Sequence, residues 1–138
     1  MADLHYDLDN WLRGFINKHQ GAAGTVHLFE NDGLRLAAAV NIPPPVQKVV
    51  EWVPNGKGMA GLALQRKEAV QTCNLQEDRS GAVKPGAKAV NAQAAVALPV
   101  MNQAGDVRAV VGIAFQDERE FSAGDIAELS ASASSLPG

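Results

Sequence analysis

Ala94-Ala95-Val96-Ala97-Leu98-Pro99-Val100-Met101 and Val107-Arg108-Ala109-Val110-Val111-Gly112-Ile113-Ala114-Phe115 are two apolar runs of strand length. The segment between them, with Gln103-Ala104-Gly105-Asp106, is polar and contains a glycine. That pattern predicts a β-hairpin, because the runs are rich in residues suited to a pleated surface and are split by a turn. Side chains alternate across a strand. The second run therefore predicts Val107, Ala109, Val111, Ile113 and Phe115 on one face and Arg108, Val110, Gly112 and Ala114 on the other. The first face is large and the second small. A small face either lets a helix pack very close or leaves a cavity, and interiors tolerate few voids, so close packing is the commoner outcome.

Upstream of this hairpin, residues 74–91 hold Gly and Pro breakers among polar residues and predict a long, partly irregular loop. Ala69 to Cys73 reads as a strand, and Met59 to Arg66 as a short helix after the glycine-rich stretch Asn55 to Gly61. Pro43-Pro44-Pro45 can open a short helix from Val46, a piece that Val53-Pro54 closes. Thr25 to Glu30 and Leu34 to Val40 form another predicted hairpin, turned by Asn31-Asp32-Gly33, residue types that tolerate positive φ. In its second strand Leu34, Leu36, Ala38 and Val40 should share a face opposite Arg35, Ala37 and Ala39. At the N-terminal end Leu4, Leu8, Trp11, Leu12, Phe15 and Ile16 lie on one stripe of a helix that Gly21-Ala22-Ala23-Gly24 ends. At the other end Ser122-Ala123-Gly124-Asp125 resembles a capping box, and Ile126, Leu129, Ala133 and Leu136 make a second helical stripe.

Strands that cluster as hairpins give a mainly antiparallel sheet, hence the α+β class. The two terminal helices, each with one apolar stripe, are expected on one face of it. The chain has 138 residues, the size of one domain. The expected division is a flanking helix over 1–20, the sheet and its connections over 21–121, and a C-terminal helix over 122–136. Apolar residues make up 46%, which excludes disorder as the main state, yet aromatics are only 5% and Ala dominates. Net charge is −3, and the longest basic cluster is Arg66-Lys67, so neither a nucleic-acid partner nor an anionic membrane surface is expected. No apolar run approaches the ~20 residues of a spanning helix. Met1-Ala2-Asp3-Leu4-His5 lacks the basic start and apolar stretch of a signal peptide, and one cysteine, Cys73, makes no internal disulfide. The expected location is cytoplasmic.

Several segments together resemble a GAF domain: Gly24-Thr25-Val26-His27-Leu28-Phe29 with its hairpin; Val53-Pro54-Asn55-Gly56-Lys57-Gly58-Met59-Ala60-Gly61-Leu62-Ala63; Ala69 to Leu75 with Asp78; and Ala97-Leu98-Pro99-Val100 with its hairpin into Val110 to Ala114. The resemblance runs from about Gly21 to the C-terminus. It implies a central antiparallel sheet of five to six strands, with the terminal helices on one face and short helices plus a long loop on the other. It also implies a pocket between that cover and the sheet. Members bind diverse small molecules, or none, in sensory and signal-transduction roles, and often dimerise through the terminal helices. The expectation is a non-catalytic small-molecule-binding module and a homodimer. The alternatives are a structural or dimerisation module with a closed pocket, and a free methionine-(R)-sulfoxide reductase.

Trp52, Met59, Asn74, Asp78 and Gln93 flank the segments that form the ligand side in that family and are the expected ligand-binding residues. Trp and Met would supply apolar area, and Asn, Asp and Gln would orient a ligand by hydrogen bonds. The equally plain reading of Trp52 and Met59 is that they cover the sheet. Lys84 and Lys88 could pair with an anion and otherwise form a solvated face. Gly56-Lys57-Gly58-Met59-Ala60-Gly61 matches G-x-G-x-x-G, with Asp78 downstream. A dinucleotide site needs a parallel βαβ unit around that turn, so the glycines are read instead as allowing a tight turn against the sheet. The reductase branch of the family uses several cysteines, which would fall near Ala60 and Lys88, and neither is Cys. Cys73 is then expected to be a small buried hydrophobe, and no catalytic residue is assigned. His5, His19 and His27 show no metal-ligand spacing, so no metal and no cofactor are expected.

Overall fold

The computed structural model describes residues 4–72, 94–116 and 121–136. In chain order the elements are α1 (Leu4–Lys18), β1 (Ala23–Glu30), β2 (Gly33–Val40), α2 (Pro44–Val49), β3 (Trp52–Pro54), α3 (Gly58–Arg66), β4 (Val70–Thr72), β5 (Ala94–Met101), β6 (Val107–Phe115) and α4 (Ala123–Ala133). The strands form a six-stranded sheet in the order β3-β2-β1-β6-β5-β4, and all the pairings are antiparallel. The fold is α+β, as expected, and the β5–β6 hairpin has the predicted bounds. At the first hairpin Asn31 and Asp32 take φ of 51° and 61°, the left-handed geometry that a two-residue turn between twisted strands requires.

β3 is a strand where the sequence reading closes a helical piece. Its three residues pair with Gly33, Leu34 and Arg35 of β2. A strand that short carries no periodicity, and Pro54 is tolerated because β3 lies at the sheet edge.

One face of the sheet carries α1 and α4. Leu8, Leu12, Phe15 and Ile16 of α1, with Leu129, Ala133 and Leu136, pack against Val26, Val96, Leu98, Val111, Ile113 and Phe115. Each such fully buried aliphatic side chain contributes roughly 1.5–3 kcal/mol over leaving it in water. Trp11 stacks on Phe15 with ring centroids 5.0 Å apart, and its indole N–H donates to Ser135 Oγ at 3.0 Å, joining α1 to the turn after α4. The Ser122 side chain accepts from the Asp125 N–H and the Asp125 side chain accepts from the Ser122 N–H, so α4 starts on a true capping box.

Strict alternation fails in two places. In β2, Val26 pairs with Ala38 but His27 pairs with Leu36, which leaves Ala37 as an extra residue. The bulge moves the strand's faces past each other. Leu34 therefore packs under α3, whereas Ala38 and Val40 pack under α1 and α4, and the expected single face from Leu34 to Val40 is corrected. In β6, Val100 pairs with Ala109 and Met101 with Val107, so Arg108 is extra. Val107 accordingly joins Val110 on the α3 side, away from Ala109, Val111, Ile113 and Phe115. Arg108 donates to the Leu136 carbonyl at 2.8 Å.

On the second face, Ala63 and Leu64 of α3 cover Leu34, Val53, Val70, Ala97, Val107 and Val110. Gly61 sits where α3 touches β3: a Cβ there would lie 2.5 Å from the Pro54 carbonyl oxygen. The Gly56 N–H donates to Gly61 O and the Gly61 N–H donates to Lys57 O, so the glycine turn spends these donors on itself. With an antiparallel sheet and a nine-residue helix after the turn, the parallel unit of a dinucleotide site is absent among the described residues.

Candidate functional site

Along β6 the second face changes from Val110 to Gly112 and Ala114, and at that step close packing gives way to a cavity of about 140 Å³. Its floor is built from neighbouring strands in register. Thr25 pairs with Gly112 and Ala23 with Ala114, while Ala95 pairs with Ala114 and Ala97 with Gly112. Thr25, His27, Ala95, Ala97, Gly112 and Ala114 all line the space. Ile42, Val46 and Val50 from α2 and its flanks, Met59 and Ala60 from α3, and Gly24, Val96 and Ile113 of the sheet complete the described wall. The small residues leave this space open. A Cβ on Gly112 would come within 2.8 Å of Thr25 Oγ1, and larger side chains at Ala95 or Ala114 would occupy the cavity itself.

His27 is the polar group of greatest interest here. It is the buried polar residue of the described chain, 3% exposed, in the middle of the central strand β1. Its Nε2 lies 2.8 Å from the Val50 carbonyl oxygen. A carbonyl only accepts, so Nε2 carries the proton in this contact. Nδ1 is buried and has no hydrogen-bond partner among the described residues. Burial holds the imidazole pKa below its ordinary value, with the Val50 carbonyl opposing in part. The ring is then neutral near pH 7, with Nδ1 as a lone-pair acceptor.

Of the five residues expected to bind a ligand, Met59 lines the cavity. Trp52 sits on β3, 39% exposed, with its ring against Gly33 and the Arg35 guanidinium 5.9 Å from the ring centroid. It is not among the described lining residues. Asn74, Asp78 and Gln93 lie outside the described residues, as do Cys73, Lys84, Lys88 and the expected loop 74–91. The sequence reading tested His27 only as a metal ligand. The signal that it lines the cavity is register: on β1, Thr25 and His27 share the face that meets Gly112 and Val110 of β6. No group of three or more His, Cys, Asp or Glu side chains able to hold a metal occurs among the described residues.

An antiparallel sheet with paired helices on one face, and a small cavity beside short helices on the other, defines an α+β domain with a pocket against its sheet. The family model of the GAF domain matches residues 10–136, and the chain belongs to that family. Solved structures share the fold. A type II free methionine-R-sulfoxide reductase from Thermoplasma acidophilum is 20% identical with a TM-score of 0.77, over 98% of this chain and 94% of that one. The GAF domain of an Acinetobacter phosphoenolpyruvate-protein phosphotransferase is 22% identical with a TM-score of 0.75, over 99% and 82%. That of the corresponding protein from Coxiella burnetii is 15% identical with a TM-score of 0.77, over 99% and 79%. Likeness at these identities concerns the fold, which reductases and other GAF domains share. No curated protein matches the chain in sequence. No helix among the described residues is long and apolar enough to cross a membrane.

Proposed function

We propose that this chain is a non-catalytic GAF module that binds a small molecule between its sheet and the α2–α3 cover and passes the binding event on as a signal. The observation that carries this reading is the cavity of about 140 Å³ over the small-residue floor of β1, β5 and β6, with a buried imidazole at its side. Interiors are normally filled, so a pocket left over small side chains supports a binding role. A thermal-shift screen against cellular metabolites tests it. A ligand that binds only the native state at about 100 times its Kd adds ~2.7 kcal/mol of stability and raises the melting temperature by several degrees. No shift with any metabolite overturns the reading in favour of a closed structural module.

The reductase reading draws support from the shared fold and is opposed by the single cysteine of the sequence, since a thiol cycle of that kind normally needs a resolving partner. Reduction of free methionine sulfoxide that disappears in Cys73→Ser protein would establish it. We also retain the expectation of a homodimer through α1 and α4. Sedimentation showing a monomer at high concentration overturns that part.

A further inference from the structure

We infer that the pocket takes a flat ring laid face-down on the sheet over Gly112, and that the floor selects it by shape rather than by hydrogen bonds. This rests on the reading of the pocket as a binding site and adds the class of molecule that enters it.

Much of the floor is main chain. Val96 and Ile113 line the pocket, yet their side chains belong to the core under α1 and α4 on the opposite face. Gly24 lines it too, and a Cβ there would meet Leu12 and Ile16 of α1. Side chains alternate across a strand, so these residues reach the pocket through their peptide groups. On β5 and β6 the side chains that do face it end at Cβ in Ala95, Ala97 and Ala114. Gly112, in register between Thr25 and Ala97, has none and forms the lowest point. Each of these strands is paired on both sides: β1 with β2 and β6, β6 with β1 and β5, and β5 with β6 and β4. The main-chain N–H and C=O groups of the floor are therefore committed to the ladder, and what they offer a guest is flat area. Size completes the argument. Strands lie about 4.8 Å apart and a residue rises about 3.4 Å, so a floor from β1 across β6 to β5, two residues long, measures roughly 10 by 7 Å. Spread over that floor, the 140 Å³ open to atom centres is about 2 Å deep, a single layer of heavy atoms. Along β6 the floor ends at Val110, which lies under α3, and Val46, Val50 and Met59 stand on the cover side. A flat ring brings its whole face into contact with such a floor, whereas a puckered ring touches it at fewer atoms and needs a thicker space.

Phenol and cyclohexanol are the probes. They share ring size and hydroxyl group, and differ in that one ring is flat and the other puckered. Each is titrated into the wild-type chain and followed by the α-proton resonances of Gly112, the methyl resonances of Ala95, Ala97 and Ala114, and those of Val46 and Val50 in the cover. Phenol is expected to move all of these, with the Gly112 α protons shifted upfield, because they lie under the face of the ring where its ring current shields. Cyclohexanol is expected to bind at least roughly fivefold more weakly, since a thicker body overpacks a space one layer deep. In Ala114→Val protein, where two further methyls stand up from the floor, phenol is expected to lose roughly tenfold or more in affinity. If a probe moves the Val46 and Val50 methyls but the Gly112 α protons shift downfield or stay in place, the face-down seat is overturned while the binding pocket stands. The same holds if cyclohexanol binds as tightly as phenol, or if folded Ala114→Val protein binds phenol as well as the parent. If neither probe moves any of these resonances, the reading of the pocket as a binding site fails as well. The wild-type spectra decide the matter even where Ala114→Val does not fold.

Discussion

His27 Nε2 and the carbonyl oxygen of Val50, 2.8 Å apart, tie the middle of the central strand to the residue that ends α2. The bond spans the edge of the cavity, since both residues line it. It holds α2 against a buried imidazole whose charged form burial disfavours.

Stability should therefore fall on mild acidification. Burial lowers the His27 pKa in the folded chain, while the unfolded imidazole titrates near its ordinary value of about 6.5. Between the two, the unfolded chain holds a proton that the native one does not, so unfolding is favoured as pH falls. The stability is fully present above about pH 6.5 and is lost progressively below it, down to the folded pKa. His19 shifts the same way, through burial first and the charge of Lys18 second, and adds to the slope. Urea midpoints across about pH 5 to 7.5 measure it, and His27→Gln, whose amide can still donate to Val50, should show a shallower slope. An unchanged slope would mean that His27 titrates normally in the fold.

Gly112 and Thr25 should be coupled. They pair across β1 and β6, and an added Cβ would lie 2.8 Å from Thr25 Oγ1. Gly112→Ala is expected to cost about 1 kcal/mol, and in a Thr25→Ala background to become neutral or stabilising, because the clash is gone and the unfolded chain is stiffer. A double-mutant cycle by urea denaturation checks this, and additive effects would sink it.

At Gly61 the neighbour is backbone, so no side chain can move aside. Gly61→Ala should cost roughly 1–3 kcal/mol, because α3 must shift away from the Pro54 carbonyl. The Val46 and Val50 methyl resonances should report the altered cover. A variant as stable as the parent would show that α3 sits loosely.

The capping box of α4 gives a prediction remote from the cavity. Ser122→Ala leaves the Asp125 N–H without its side-chain acceptor and should lower stability by about 1 kcal/mol. The Val46 and Val50 methyl resonances should be unchanged, because neither Ser122 nor Asp125 lines the cavity. Shifted methyl resonances would instead reveal coupling between α4 and the far face of the sheet.

Local signals made much of this fold legible. Asn31-Asp32, the β5–β6 runs and Ser122 with Asp125 act through neighbours in the chain, and each predicted feature is found. Around the cavity, the position of Met59 over the sheet was legible, because the turn that precedes α3 directs that helix there. The position of the Trp52 ring was not, because a three-residue edge strand leaves no pattern and only pairing with β2 turns the ring onto Gly33. The bulges at Ala37 and Arg108 were also invisible, since an extra residue changes a strand's face only once its partner's register is known.

The sequence by itself determined the class of fold, the helical faces and the small-residue side of β6, because hydrophobic periodicity and turn chemistry are properties of short segments. It left open whether that small face was packed shut. Only the tertiary structure decided this. Val110 lies under α3, while Gly112 and Ala114 lie beside Thr25 and Ala95 where α2 and α3 do not fill the space. It also converted His27 from an ordinary strand residue into a buried acceptor, since burial and a fixed tautomer come from Val50, 23 residues away. Packing is a relation between distant segments, and no single stretch of chain contains it.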